Sequence, residues 1–253
     1  MLRPEIAHAH LLHEDERLDK TFSLLCWNVQ KSTQSELFKI YLHELHRHHE
    51  LDLLMLQEAK TDLRSKLDIK GYSYVLAPNI QTKKALFGVL TAAKSHYHHH
   101  KSYITHVQES LLTTHKSVLY THHLLPNDEV LVAVNIHAIN FMPNLWFKKE
   151  LDRLFETVKE HQGPLLIAGD FNSWNKKRMK YLRDFATELG LCFVDLEDAH
   201  HVKSMIRNKL DHVLYRGLKV SSAKAFNSGK LSDHNPLYVK FEVSDSSFDL
   251  ENK

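Results

Sequence analysis

Short apolar runs of strand length alternate with amphipathic stretches along most of the chain. Residues 23–29 (SLLCWNV) and 52–57 (DLLMLQ) read as strands. Between them, residues 35–49 set Leu37, Ile40, Tyr41 and Leu45 at helical spacing, behind a Ser/Thr/Gln cluster suited to capping. The pattern then recurs. Residues 130–136 (VLVAVNI) read as a strand, and residues 147–161 form a helix with Phe147, Leu151, Leu154, Phe155 and Val158 on one face. Gly163-Pro164 stops that helix before a strand at 165–168 (LLIA). Further strands are predicted at 72–76, 87–91, 118–123, 211–215 and 237–243. A third helix at 177–189 buries Met179, Leu182, Phe185 and Leu189 and closes at Gly190. Strands buried on both faces with helices between them imply an α/β layered fold. The two similar halves imply two sheets packed together, with polar strand ends meeting at one edge.

The chain has 253 residues, 43% of them hydrophobic, enough for one substantial core, and no linker or composition shift divides it. Residues 1–20 are expected to be a polar leader, 21–243 a single domain and 244–253 a frayed acidic tail. With 33 Lys+Arg against 31 Asp+Glu the net charge is +2, so any attraction to phosphate must be local. Cys26 and Cys192 both sit in apolar runs and are expected to be buried free thiols. No run is long enough for a secretory signal or a membrane span, which points to a cytoplasmic protein.

Polar residues follow several of the apolar runs. They fall in Leu25-Cys26-Trp27-Asn28, Leu56-Gln57-Glu58, Asn135-Ile136-His137, Gly169-Asp170-Phe171-Asn172, and the pair Leu210-Asp211-His212 with Ser232-Asp233-His234-Asn235-Pro236. Singly these have ordinary readings: Asx residues favour turns, and Glu58 alone would be an exposed carboxylate at a helix start. Together they supply what phosphodiester hydrolysis asks for. Carboxylates can hold a hard cation and activate water, and cationic or amide donors can meet the charge developing on phosphate.

In type, order and spacing these segments resemble the endonuclease/exonuclease/phosphatase superfamily from about Phe22 to Val243. That group includes DNase I-like nucleases, abasic-site endonucleases, neutral sphingomyelinases and inositol-polyphosphate 5-phosphatases. Residues 134–141, 210–218 and 232–237 look most like a little-characterised bacterial cytoplasmic branch of it. The resemblance implies a DNase I-like four-layer α/β sandwich, two packed mixed β-sheets flanked by helices. It implies Mg²⁺ or Mn²⁺ as cofactor, with Glu58 the main ligand, Asn28 beside it and Asp233 completing the metal side. By the same likeness Asp170 polarises or deprotonates water, and Asn172 hydrogen-bonds the phosphate. His234, oriented and kept cationic by Asp211, contacts the scissile phosphate, and His137 sits where some members protonate the leaving oxygen. Asn135 is carried over as a substrate contact.

There are two departures. The stretch Gln81-Thr82-Lys83-Lys84-Ala85 has no carboxylate to support His137, and His212 stands where Tyr or Phe is also common. Beyond the motifs, residues 175–183 (NKKRMKYLR) put Lys176, Lys177, Arg178, Lys180 and Arg183 just after the Asp170 segment, while Arg207 and Lys209 precede Asp211. These basic residues read either as the solvated face of the 177–189 helix or, given their closeness to the Asp170 segment, as phosphate contacts, Lys176, Lys177 and Arg178 foremost. Among the 21 histidines, the run His96, His98, His99 and His100 and the cluster His43, His46, His48 and His49 are expected on the solvated surface.

The expected function is a metal-dependent phosphoesterase of EC class 3.1, acting first of all on nucleic acid and otherwise on a lipid or inositol-phosphate head group. A catalytically silent binding module on the same scaffold and a metal-buffering protein built on the histidine runs are the rivals.

Overall fold

The computed structural model describes residues 7–64, 67, 69–105, 115–205 and 208–243. Arg207 and the expected tail at 244–253 lie outside the described residues. One sheet runs, edge to edge, β1 (His8–His10), β4 (Ser73–Gln81), β5 (Ala85–Ala93), β3 (Leu53–Asp62), β2 (Thr21–Asn28), β15 (Leu237–Val243), β14 (Leu218–Ala225). The other runs β10 (Cys192–Phe193), β13 (Asp211–Arg216), β9 (Leu165–Asp170), β8 (Val130–His137), β7 (Ser117–Leu124), β6 (His99–Ile104). A small hairpin joins β11 (Ser204–Met205) and β12 (Asn208–Lys209). Each large sheet has one parallel pair, β2–β3 and β8–β9, and is otherwise antiparallel. Parallel neighbours need a crossover, and helices supply both: α1 (Glu36–His49) between β2 and β3, α2 (Asn144–Val158) between β8 and β9. The third helix, α3 (Lys176–Glu188), follows β9.

Strand side chains alternate between faces, and this alternation builds the layers. Leu24 and Cys26 of β2 point inward with Met55 and Val89, meeting Leu131, Ala133, Leu166 and Val213 from the other sheet. Leu25 and Trp27 point outward with Leu54 and Leu56, beneath Phe38 and Leu45 of α1. Val134, Ile136, Ile167 and Leu214 pack against Phe147, Leu151, Leu154, Leu182 and Phe185 of α2 and α3. The result is helix, sheet, sheet, helices: the four-layer α/β sandwich expected from the sequence.

The helix phases show where spacing alone misled. Leu37 and Ile40, expected on the buried stripe of α1, are 68% and 59% exposed, and Phe38 takes their place. Residues 37, 40, 41 and residues 38, 41, 42, 45 fit helical spacing equally well. Trp27, stacked on Phe38 at 5.5 Å between ring centroids, selects the second stripe. The helix starts as the sequence suggests: Ser35 Oγ accepts from Phe38 N, and at α3 Asn175 accepts from Arg178 N.

Two further expectations are corrected. Much of the supposed leader belongs to the fold: His8–His10 pairs with β4, and Leu18 is buried in the inter-sheet core. Cys192 is exposed rather than buried, because β10 is a two-residue edge strand. Away from the histidine runs, one histidine is part of the core. His123 lies in the inter-sheet core between Ser95 and Thr121, and burial pushes it down to about 3. No helix among the described residues is long and apolar enough to cross a membrane.

Candidate active site

The polar strand ends converge on one edge of the sandwich. β2 and β3 are parallel with Asn28 opposite Gln57, so both end at the same level. β8 and β9 are parallel with His137 opposite Asp170, and antiparallel β13 begins there, with Asp211 opposite Asp170. His234 arrives from the loop before β15. Its main chain is pinned by Trp27 Nε1 donating to His234 O at 2.8 Å and by His234 N donating to Ser232 Oγ at 3.1 Å. Ser232 Oγ donates in turn to Asn28 O, tying that loop to β2.

Two residues reach the site through unusual backbone. Glu58 has φ +52° and lies in a β-bulge where the β3–β5 register slips between Leu56 and Ala59. A bulge re-aims one side chain, and here it turns the Glu58 carboxylate to within 4.0 Å of His137 Nε2. Asn172 has φ +49°, its N–H donating to Asp170 Oδ1 at 3.0 Å in a tight Asx arrangement. Just before Asp170, Gly169 has φ +149°, and a Cβ there would fall 1.9 Å from the Ile136 carbonyl oxygen. No larger residue fits so close to the neighbouring strand.

Asp170 is the hub. Its Oδ2 accepts from Asn28 Nδ2 at 3.1 Å and lies 3.7 Å from both His137 Nε2 and His234 Nε2. His234 Nδ1 faces both oxygens of Asp211, at 2.8 and 3.0 Å. Burial pulls His234 down, but the charge and hydrogen bond of Asp211, with Asp170 behind them, outweigh it and leave His234 raised. Burial, with Asp211 next to it, pushes Asp170 up to about 6. His137 is held well below the ordinary histidine range by burial, by Lys116 and by His234. Lys116 Nζ stands 3.0 Å from His137 Nε2, so a cation occupies the neighbourhood where a supporting carboxylate is missing from the sequence.

Not every expected site residue reaches the edge. Asn135 is fully buried beneath it: Oδ1 accepts from Gln57 Nε2 at 2.8 Å and Nδ2 donates to Leu90 O at 2.8 Å. It therefore stitches the two sheets together and is no substrate contact. Arg178 is also fully buried. Its guanidinium donates to the carbonyls of Ile139, Asn172 and Met142 at 2.8–2.9 Å, clipping the loop after His137 to the loop after Asp170. Position 178 falls on the inner face of α3, out of phase with the exposed Lys176 and Lys177, and so contacts no phosphate. Lys180 is exposed and paired with Asp184. Asp233 lies at the outer margin, ion-paired with Lys203 and 4.0 Å from His234 Nε2. The Asn172 amide donates to Ala138 O at 3.0 Å, a second brace between the same loops. His212 packs edge-on against Phe171 and Phe193, consistent with a packing change at a position where an aromatic ring is common. Lys116 is the residue that sequence reasoning missed, since a lone lysine outside every motif carries no signal.

The donor set suits a hard cation. Ligating atoms of Asp170, Asp211 and His234 all lie within 4.8 Å of one another. Asp211 is committed to His234 Nδ1, which leaves the oxygens of Asp170 for an ion; Asn28 turns its amide nitrogen to Asp170 Oδ2, and Glu58 stands 4.0 Å from His137 Nε2. Carboxylate and amide oxygens are the ligands that Mg²⁺ and Mn²⁺ favour over softer metals.

Comparison with known proteins bears on the fold and the family. A UPF0294 protein of Erwinia tasmaniensis is 35% identical over 229 residues, which span 88% of this chain and 82% of that one. Among solved structures, an endonuclease/exonuclease/phosphatase of Bacteroides vulgatus superposes with a TM-score of 0.68 at 15% identity, covering 88% of this chain and 99% of that one. TDP2 of D. rerio, solved with a single-strand DNA product, superposes with a TM-score of 0.61 at 13% identity, covering 88% and 99%. At such identities the two structures speak for the fold alone. The sequence profile of the endonuclease/exonuclease/phosphatase family matches residues 25–234, the span from β2 to the His234 loop that builds this edge, and the chain belongs to that family.

Proposed function

We propose that this protein is a cytoplasmic phosphoesterase dependent on Mg²⁺ or Mn²⁺ that hydrolyses phosphodiester bonds in nucleic acid. The observation that carries the reading is the convergence on Asp170 Oδ2 of Asn28, His137 and the Asp211-oriented His234. Glu58, Asn28 and Asp170 would hold the cation, with Asp233 at its outer side. Bound there, it would supply Lewis-acid polarisation of a phosphoryl oxygen.

The chain's own groups divide the remaining work. Asp170, raised to about 6 by burial, is both ionised and appreciably basic near neutrality, as a proton acceptor for the attacking water should be. The water oxygen bonds to phosphorus as the ester P–O bond breaks. The bonding pair leaves on the departing oxygen, and the water's proton passes to Asp170. His234, kept cationic by Asp211, faces the phosphate and opposes the charge that develops there. Asn172 retains one amide hydrogen for the phosphate, since Ala138 takes the other.

Nucleic acid is favoured over a small head group by Lys176 and Lys177, both exposed at the start of α3 just beyond the Asp170–Asn172 loop. That TDP2 holds a single-strand DNA product on a similar fold is compatible with this choice. With Mg²⁺ present, activity is expected on one of abasic duplex, single-stranded DNA or RNA ahead of sphingomyelin and inositol phosphates. Exhaustive chelation should abolish it. Turnover that survives chelation would overturn the cation's role, and preferential cleavage of head groups would overturn the substrate.

Replacing Lys176 and Lys177 together by Gln should raise the oligonucleotide KM severalfold. It should also flatten the dependence of log KM on log salt by about 0.7–0.9 for each lost phosphate contact. kcat should stay near wild type, because neither lysine reaches the reacting phosphate. An unchanged salt slope would mean that nucleic acid does not run along this face.

A further inference from the structure

We propose that Lys116 contacts the reacting phosphate directly and is the cationic group at the His137 end of the site. The inference rests on the phosphoesterase reading and adds to it a residue that no motif of the sequence marks.

A phosphodiester entering this edge meets the carboxylates of Glu58, Asp170 and Asp211, and every anion added there needs a cation close by. On one flank of Asp170 Oδ2 stands His234, whose Nδ1 faces both oxygens of Asp211. On the other stands His137, at the same 3.7 Å, and among the described residues no carboxylate hydrogen-bonds its ring. Its ring nitrogen Nε2 instead faces an ammonium 3.0 Å away. Two cationic N–H groups cannot point at one another at that distance, so Lys116 donates and Nε2 accepts with its lone pair. An accepting His137 brings no positive charge to the phosphate, and Lys116 brings it instead. An ammonium has three N–H donors in tetrahedral array, so a hydrogen bond to His137 is compatible with another to a phosphate oxygen.

The backbone holds Lys116 where this requires. Lys116 N donates to Thr105 Oγ1 at 2.9 Å, and Thr105 N donates to Lys116 O at 2.8 Å, at the entry to β7. β7 pairs antiparallel with β8, Val118 opposite Ile136. Continued by one and two residues, that register sets Ser117 opposite His137 and Lys116 opposite Ala138, one position from it. The side chain is half-buried, with the ammonium against an active-site imidazole. A lysine that served only solubility would extend into solvent. Here its head group turns toward the carboxylate cluster, as an anion-binding cation should.

The test measures affinity for inorganic phosphate by titration calorimetry in saturating Mg²⁺, alongside turnover of a phosphodiester. Lys116→Gln should weaken phosphate binding at least tenfold and lower kcat/KM about a hundredfold, while Lys116→Arg, which keeps the charge, should recover most of both. The same substitution in a His137→Ala background separates contact from positioning. A direct contact still weakens phosphate tenfold there, whereas a lysine acting only through His137 has no further effect. Unchanged phosphate affinity in Lys116→Gln, or no additional loss in the His137→Ala background, overturns the proposal. If the wild type turns over no phosphoester but its phosphate affinity still responds to Lys116, the catalytic reading fails and the contact stands.

Discussion

Asp170→Asn is expected to abolish turnover while making the metal-free protein more stable. The loss of rate follows from the hub position. Asn28, His137 and His234 all close on Asp170 Oδ2, and an amide can neither accept the water's proton nor offer an anionic oxygen to a cation. Removing such a group costs about 4 kcal/mol or more of transition-state stabilisation, roughly a thousandfold in rate. The gain in stability follows from the same burial. Asp170 and Asp211 face one another across the β9–β13 ladder, both inside the protein, with the His234 ring between them. Burial raises the Asp170 carboxyl to about 6, so the fold binds its proton more tightly than the unfolded chain does. The favourable contribution is therefore full below the unfolded carboxyl's ordinary range, is lost as pH rises through about 6, and leaves a penalty at neutral pH. A tenfold difference in proton affinity between the folded and unfolded chain corresponds to about 1.4 kcal/mol, so the neutral side chain should stabilise the metal-free protein by about 1–3 kcal/mol at pH 7.5. Thermal unfolding in chelator should show Asp170→Asn melting a few degrees above wild type, with the gap closing toward pH 5. Added Mg²⁺ should raise the wild-type Tm and leave the variant's nearly unmoved. A variant that melts lower than wild type in chelator would mean that the Asp170 charge is well solvated or paired in the fold, contrary to its buried place between Asp211 and His234.

Arg178→Met should produce the largest loss of stability of any single basic residue in the 176–183 segment. The guanidinium donates to three carbonyls, those of Ile139, Met142 and Asn172, inside a fully buried pocket, and its plane lies over the rings of Phe147 and Trp174. Methionine fills comparable volume but leaves those acceptors without the donors that the fork supplies. Stranded buried acceptors cost about 1–3 kcal/mol each, partly offset by local relaxation, so a net loss of about 3–5 kcal/mol is expected. Lysine should not rescue, because a single ammonium cannot span three divergent carbonyls. Activity should fall too, since the same clip ties the loop after His137 to the loop carrying Asn172. Urea unfolding measures the first effect and kcat the second. An Arg178→Met protein with a midpoint close to wild type would assign Arg178 a role other than this clip, whereas neutralising Lys176 or Lys177 should barely move the midpoint.

The contrast between Arg178 and its neighbours illustrates what local pattern can and cannot carry. Apolar runs long enough to be buried on both faces identified β2, β3, β8, β9 and β15, and the doubled strand–helix–strand pattern implied two packed sheets. The polar residues closing those strands identified Asn28, Glu58, His137 and Asp170, because parallel strands joined by helices must end on the same side. The strands of the two large sheets that the pattern missed, β1, β6, β10 and β14, lie at sheet edges. An edge strand has one ladder and a solvated flank, so nothing obliges its residues to alternate.

What only the tertiary structure decided are the choices that depend on a partner distant in sequence. Trp27 chose Phe38 over Leu37 and Ile40 as the buried face of α1, because spacing sets a helical stripe but not its phase. The carbonyls of three residues in two loops drew Arg178 inward, out of a run of basic residues that composition makes look alike. Asn135 became a stitch between sheets because Gln57 and Leu90 stand opposite it. Lys116 came to rest against His137 through a strand register that no short motif records. The chain's own order of apolar and polar residues is enough to specify layers and strand ends, since burial acts on each residue by its type. Which polar groups meet at those ends depends on pairings between segments tens to hundreds of residues apart, and those exist only once the sheets have packed.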